Sequence, residues 1–280
     1  MTTLSPPPLD AGYLHEAEKV MQNVARTFSV ATRLLPSDVR DDVVLLYLVL
    51  RTLDDLVDED DPGALDAVDA LEAWIGDGEV TSRETAILED LSHRHPLPPS
   101  ALAAFAQGMR DDLAGPDIRT EDDLDLYCSR VAGSVGQMMA SILGVRDDAA
   151  WDAADALGCA MQRTNILRDV DEDLANGRVY LPRETLERFG VADLATHRDR
   201  TALYREQIAR ADAMYDDGLA GVPMLRNGGR AIAAAAVMYR EILREIEREG
   251  YGATRRRAVV SRSRKARLVA LALTRPALWS

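Results

Sequence analysis

The chain has 280 residues, of which 47% are hydrophobic and 29% charged, with a formal net charge of −14. That charge argues against a nucleic-acid partner, which selects a basic footprint, and no run approaches the ~18 apolar residues that a membrane span needs. Two cysteines, Cys128 and Cys159, give neither a metal-ligand spacing nor a disulfide framework, and the N-terminus MTTLSPPPLDAG lacks an apolar signal region, so a soluble protein in a reducing cytoplasm is expected.

Taken in order, almost every segment reads as helix, with residues 1–12 expected to lie outside the fold. Residues 13–34 carry apolar positions at helical spacing. Pro36 opens the next helix from its first turn, and that helix stops at Asp61-Pro62-Gly63. Shorter helices are expected over 64–76 and 82–92. HRHPLPPS is a connector, and its His93 and His95 read as loop residues rather than ligands. A helix over 99–114 ends at Gly115-Pro116. Thr120 is placed to cap the next one, with acids at 121–123 favoured by the helix dipole. This helix runs through LYCSRVAGSVGQMMASILG, where Gly133 and Gly136 each cost about 1 kcal/mol relative to alanine. Two readings stand: close helix packing, or room for a ligand or a helix break beside one, with the Tyr127 phenol able to face the same space. Residues 148–175 form a long helix ended by Asn176-Gly177, VYLP is an extended link, and Pro182 starts a further helix. Residues 198–220 and 230–249 alternate as amphipathic helices. The last segment, RRRAVVSRSRKAR, holds seven basic side chains in thirteen residues; it is either a solvated face or a closure over a phosphate-bearing site, with Tyr251 just before it. No strand alternation persists, and a glycine-rich phosphate loop and a dinucleotide fingerprint are both missing. The pattern predicts one all-helical domain over residues 1–280.

Two stretches carry chemistry. In QRTNILRDVDED, Gln162, Asn165, Asp169 and Asp173 follow at steps of three and four and share one helix face beside apolar Ile166, Leu167 and Val170. In YLVLRTLDDLVDEDD, Asp54 and Asp58 are four apart, Arg51 precedes them on the same face, and the apolar run Val43 to Leu50 leads into them. Aspartates so spaced often lie on solvated faces; what favours a site is that both pairs adjoin apolar runs and both have polar companions one turn away. Brought face to face, like charges about 4 Å apart repel by roughly 1 kcal/mol in water and about 4 kcal/mol at an effective dielectric of 20. Such a cluster calls for hard cations, and magnesium characteristically bridges carboxylates to substrate phosphates.

NILRDVDEDLANGRVYLPRETL, YCSRVAGSVG, ARTFSVATRLLP and YLVLRTLDDLVDED, in that combination, resemble the squalene/phytoene synthase family over roughly residues 20 to 270. The resemblance implies an all-α isoprenoid synthase-type bundle with a central cavity, in which two aspartate-rich helices face each other across two or three Mg²⁺ ions and a diphosphate. Carried over by position, Asp54, Asp58, Asp169 and Asp173 hold the metals, with Asn165 and Gln162 assisting. Arg51 and Thr27 contact diphosphate, Tyr127 handles a proton near the reacting carbons, and Tyr251 closes with the basic tail over the phosphate end.

The reaction so implied ionises an allylic prenyl diphosphate in an apolar pocket, where an electron-rich carbon captures the cation. In the family's usual reaction that carbon belongs to a second prenyl diphosphate, and squalene, phytoene or a relative results. The sequence departs from the family pattern at Ala25 and Ser129. A weakened second diphosphate site favours an aromatic, carbazole-like acceptor in secondary metabolism, with head-to-head condensation as the alternative. A cyclising terpene synthase and a non-catalytic scaffold stand behind both. NADPH stays open, because this family's reductases bind it without the usual glycine motif. Met138, Met139 and Leu143 are candidates for setting prenyl chain length.

Overall fold

The structure is a computed structural model that describes residues 11–24, 30–197, 199–253 and 257–274. Its helices are α1 (Ala11–Val24), α2 (Ser37–Asp58), α3 (Ala64–Asp77), α4 (Arg83–Arg94), α5 (Pro99–Ala114) and α6 (Glu121–Cys128). They are followed by α7 (Ser134–Leu143), α8 (Ala149–Ala175), α9 (Arg183–Arg188), α10 (Thr201–Ala220), α11 (Gly229–Arg248) and α12 (Arg262–Thr274). Among the described residues the only β feature is an isolated bridge between Val145 and Leu225. The expected all-helical fold is what is found. Ala11 and Gly12, expected to precede the fold, already belong to α1.

Local chemistry sets the ends. Thr120 caps α6: its Oγ1 accepts from Asp123 N (3.1 Å) while Asp123 Oδ2 accepts from Thr120 N (2.9 Å), which satisfies two otherwise orphaned donors. Ser82 and Thr85 do the same for α4. Pro36 sits at the cap of α2, one position ahead of the first turn expected for it. His93 closes the last turn of α4 instead of lying in a loop, and His95, in the connector, places Nε2 2.6 Å from Asp42 Oδ2. The basic tail is partly helical, since α12 packs along α11 and Arg264 Nε donates to Glu241 Oε1 at 2.9 Å.

The helix expected from 121 through 144 is interrupted by a π-helical turn at Ser129–Gly133. Backbone contact with α8 accounts for it. A Cβ on Gly133 would lie 2.0 Å from Asp155 Oδ1, one on Gly136 2.2 Å from the Ala154 carbonyl, and one on Gly158 2.2 Å from the Ala132 carbonyl. At Gly136 and Gly158 the two helices touch main chain to main chain, as the packing reading expects, while the π turn is a break beside a cavity, as the other expects. The extra residue of a π turn also rotates the helix beyond it, and Val131, Ala132, Val135 and Gly136 face a cavity.

Helix α8 runs through the middle, packed against α6, the π turn, α7, α10 and α11. Two apolar clusters flank the cavity. One is built on α8, α10 and α11 with Ile166, Tyr204, Tyr215 and Met238; the other is built on α2 to α5 and α7 with Leu46, Leu53, Leu71, Ile87 and Met109. On the side of α8 turned from the cavity, buried Arg163 donates to Asp125 Oδ1 (3.1 Å), Gln207 Oε1 (2.8 Å) and Glu121 Oε2 (3.0 Å). Burial alone would raise the Glu121 carboxyl. Its bonds from Thr185, Arg163 and Gln207 outweigh that and hold it low.

Candidate active site

A cavity of about 520 Å³ runs along α8. The stripe that α8 presents to it is Ala150, Ala153, Ala154, Leu157, Gly158, Met161, Gln162, Asn165 and Arg168, at the three-and-four spacing of one helix face. Its N-terminal half is apolar and its C-terminal half polar. Small residues dominate the deep end because the neighbours lie so close: a Cβ on Gly221 would be 2.2 Å from Ala153 Cβ. Opposite the polar half stand Tyr47, Arg51 and Asp54 of α2, Tyr239 of α11, and Arg257. Met139 and Leu143 line the chamber, whereas Met138 is fully buried outside the lining.

The two acidic turns meet at the polar end. Arg51 Nη1 donates to Asp54 Oδ2 at 2.7 Å and its other arm pairs with Asp55. Burial, then the charge of Asp58, pushes the Asp54 carboxyl up to about 7, although Arg51 opposes them. Asp169 is gripped by Arg168 (Nε to Oδ1, 2.9 Å) and by Arg257 (Nε to Oδ1, 2.9 Å). Burial, then Asp169, Glu172 and Asp58, likewise pushes Asp173 up to about 7. Asp58 therefore acts on both its own helix and the facing one, and it is met by Arg178 Nη1 at 2.9 Å. The separation of Asp58 and Asp173 to opposite sides of the molecule, which would have removed the site, does not occur.

Each of these pairs is neutralised by a guanidinium rather than by convergence on a common point. Among the described residues no three acidic, histidine or cysteine side chains lie at metal-ligating spacing. The donors present nonetheless suit a hard cation. Asn165 Nδ2 donates to Gln162 Oε1 (3.3 Å), but Asn165 Oδ1 is buried and has no hydrogen-bond partner. A buried acceptor left open costs about 1–3 kcal/mol, which an oxygen-seeking ion would recover.

Two expected site residues, Tyr127 and Tyr251, are placed away from the chamber, and a third lies outside the described residues. Thr27 lies outside the described residues, as does Ala25. Tyr127 does not face the chamber: it precedes the π turn that rotates the helix, and its hydroxyl donates to Asp112 Oδ1 (3.0 Å) and Oδ2 (3.1 Å). Tyr251 lies under the Arg205 guanidinium, 5.2 Å from the ring centroid, and is not part of the cavity wall. The tyrosine of α11 that lines the cavity is Tyr239, held by helix rather than by the turn after it.

Several site residues gave little signal in sequence. Tyr47 stands seven residues before Asp54, hence on the same face, and Arg257 lies within the basic run. Asp112 and Tyr239 carried no local signal, because distant elements bring them to the site, and Arg178, inside the NGRVYLP stretch, gave no sign of its partner Asp58.

An all-helical bundle around a largely apolar chamber, with Asp54 in its wall and Asp169 paired to the wall residues Arg168 and Arg257, has the form of an isoprenoid synthase-type enzyme. A sequence model of the squalene/phytoene synthase family matches residues 21–264, and the chain belongs to that family, whose members are prenyltransferases acting on prenyl diphosphates. It is 35% identical to phytoene synthase 2 of Solanum lycopersicum over 96% of this chain and 93% of the relative. It is 34% identical to phytoene synthase 3 of Zea mays, matching over 94% of this chain and spanning 66% of that longer relative. A crystal structure of a dehydrosqualene synthase in complex with ligand superimposes with a TM-score of 0.87 at 28% identity, covering 96% of this chain and 98% of that one. A squalene synthase from Alicyclobacillus acidocaldarius gives 0.74 at 28% identity over 86% and 95% of the two chains. No helix among the described residues is long and apolar enough to cross a membrane.

Proposed function

We propose that the chain joins two prenyl diphosphates head to head to form a squalene- or phytoene-type hydrocarbon. The observation that carries this reading is the single face of α8, which passes without interruption from Asn165 and Arg168 to Ala150. An anionic head and a long apolar tail are thereby accommodated along one line. Asp54, Asp58, Asp169 and Asp173, with Asn165 Oδ1, are the residues that would hold Mg²⁺. Bound there, Mg²⁺ supplies charge neutralisation of the departing diphosphate. Arg51, Arg168 and Arg257 provide donors for phosphate oxygens at the same end. The apolar walls keep water from the allylic cation, and Gln162 orients Asn165 through its hydrogen bond.

The expectation of an aromatic acceptor is not supported. It leaned on Ala25 and Ser129; the first lies outside the described residues, and Ser129 donates to Asp155 (2.7 Å) outside the cavity wall. The relatives named above are phytoene, dehydrosqualene and squalene synthases. Their names favour the alternative.

The test supplies purified protein with farnesyl or geranylgeranyl diphosphate and Mg²⁺, with and without NADPH. A hydrocarbon of doubled chain length, or its cyclopropyl diphosphate precursor, is expected. Squalene formed only with NADPH would assign the nucleotide as co-substrate. A cyclic hydrocarbon from one prenyl diphosphate, or transfer only to an added aromatic, would overturn the proposal.

A further inference from the structure

The segment that leaves α8 at Arg178 crosses the ends of α2 and α5 and is fastened at two points. Arg178 N donates to the Asp173 carbonyl (2.9 Å) while its Nη1 donates to Asp58 Oδ1 (2.9 Å). Two residues on, Tyr180 is buried and its hydroxyl donates to Asp112 Oδ1 (3.3 Å). The ring of Tyr180 stacks on that of Tyr127, centroids 5.2 Å apart, and Tyr127 donates to the same carboxyl group. Asp112 belongs to neither acidic turn. Among the described residues it makes no ion pair, and its hydrogen-bond donors are the two phenols. One carboxyl group therefore serves as the common acceptor of two rings on two different elements.

We propose that Asp112 is a positioning residue for the metal site: as the shared acceptor of Tyr127 and Tyr180 it pins the 178–180 segment, keeps Arg178 on Asp58, and thereby sets the spacing of Asp58 from Asp173. This rests on the Mg²⁺–diphosphate reading above. Asp112 touches no reacting atom in this scheme. It acts on the carboxylates from behind, as outer groups do at metal sites, where their loss costs about 10- to 100-fold in metal affinity.

Thermal unfolding of the full chain, followed as Mg²⁺ is titrated at fixed inorganic pyrophosphate, separates the possibilities. The wild type is expected to gain stability with Mg²⁺. Asp112→Asn and Tyr180→Phe should each raise the Mg²⁺ midpoint by about 10-fold, and the double variant should go no further, because both act through one contact. Tyr180→Phe serves alone if Asp112→Asn does not fold. A flat wild-type titration overturns the metal reading and this inference with it. A responsive wild type with superimposable variants overturns the inference alone. Loss of all response in Asp112→Asn beside a silent Tyr180→Phe also overturns it, since Asp112 would then be a direct ligand.

Discussion

Arg178 Nη1 and Asp58 Oδ1 lie 2.9 Å apart although 120 residues separate them in the chain. Through this contact an arginine leaving the second acidic turn supplies positive charge to the first. Arg178→Gln should lower the metal-free melting temperature modestly, because a half-exposed pair is worth at most about 1 kcal/mol. It should also raise the Mg²⁺ midpoint by about 10-fold, as releasing the 178–180 segment does, since the arginine that holds Asp58 in place is then gone. Calorimetry with EDTA and with Mg²⁺ measures both.

The raised carboxyls give a pH dependence of definite sign. Asp54 and Asp173 titrate near 7 and Asp112 near 6 in the fold, against about 3.9 for an unperturbed aspartate. Between about pH 4 and 7 the folded chain holds more protons than the unfolded one, so these groups make stability fall as pH rises through that window. The metal-free melting temperature should decline from pH 5 to 7.5, and Asp54→Asn should flatten the decline. Asp54→Asn should also cost at least about 100-fold in turnover, the scale of losing one group that stabilises developing charge. The side chain of Asp54 is still 40% exposed, which tempers the size of the stability effect and leaves its direction.

Gly133 and Gly136 should differ in how they can be rescued. Gly133→Ala sets a methyl against the Asp155 side chain, whereas Gly136→Ala sets one against the Ala154 backbone. Each should destabilise by about 1–3 kcal/mol or more, as overpacking does. Adding Asp155→Ala should recover part of the loss for Gly133→Ala and none for Gly136→Ala in denaturant melts.

The deep end of the chamber should control chain length. Ala153→Phe places a ring where α8 meets Gly221, shortening the space beyond Leu157. The ratio of kcat/KM for farnesyl over geranylgeranyl diphosphate should rise by about 10-fold or more, the scale of small steric differences in apolar pockets.

Arg163 should matter for stability alone. Its replacement by Ala leaves buried Glu121 with only the distant Arg210 guanidinium, 3.9 Å away, as a charge partner, a loss approaching the ~3–5 kcal/mol of a broken buried pair. Because it lies on the face of α8 away from the cavity, turnover well below the melting temperature should stay near wild type.

The helices, their breaks and the two acidic turns were legible in the order of residues alone. Helical periodicity is a local property, and Asp54/Asp58 and Asn165/Asp169/Asp173 announce a shared face through spacing that any helix enforces. Proline and glycine ended elements where expected at Pro62-Gly63 and Gly115-Pro116. That the break near Gly133 takes the form of a π turn at Ser129–Gly133 was hidden, because the approach of α8 to the Gly133 and Gly136 main chain comes from the other side of a loop. It took the folded chain to assign Tyr127 to Asp112 rather than to the chamber, to put Tyr239 in the cavity wall, and to bring Arg178 across to Asp58. The first and last of these join residues 15 and 120 positions apart, and no periodicity within one helix records which face of another helix it will meet.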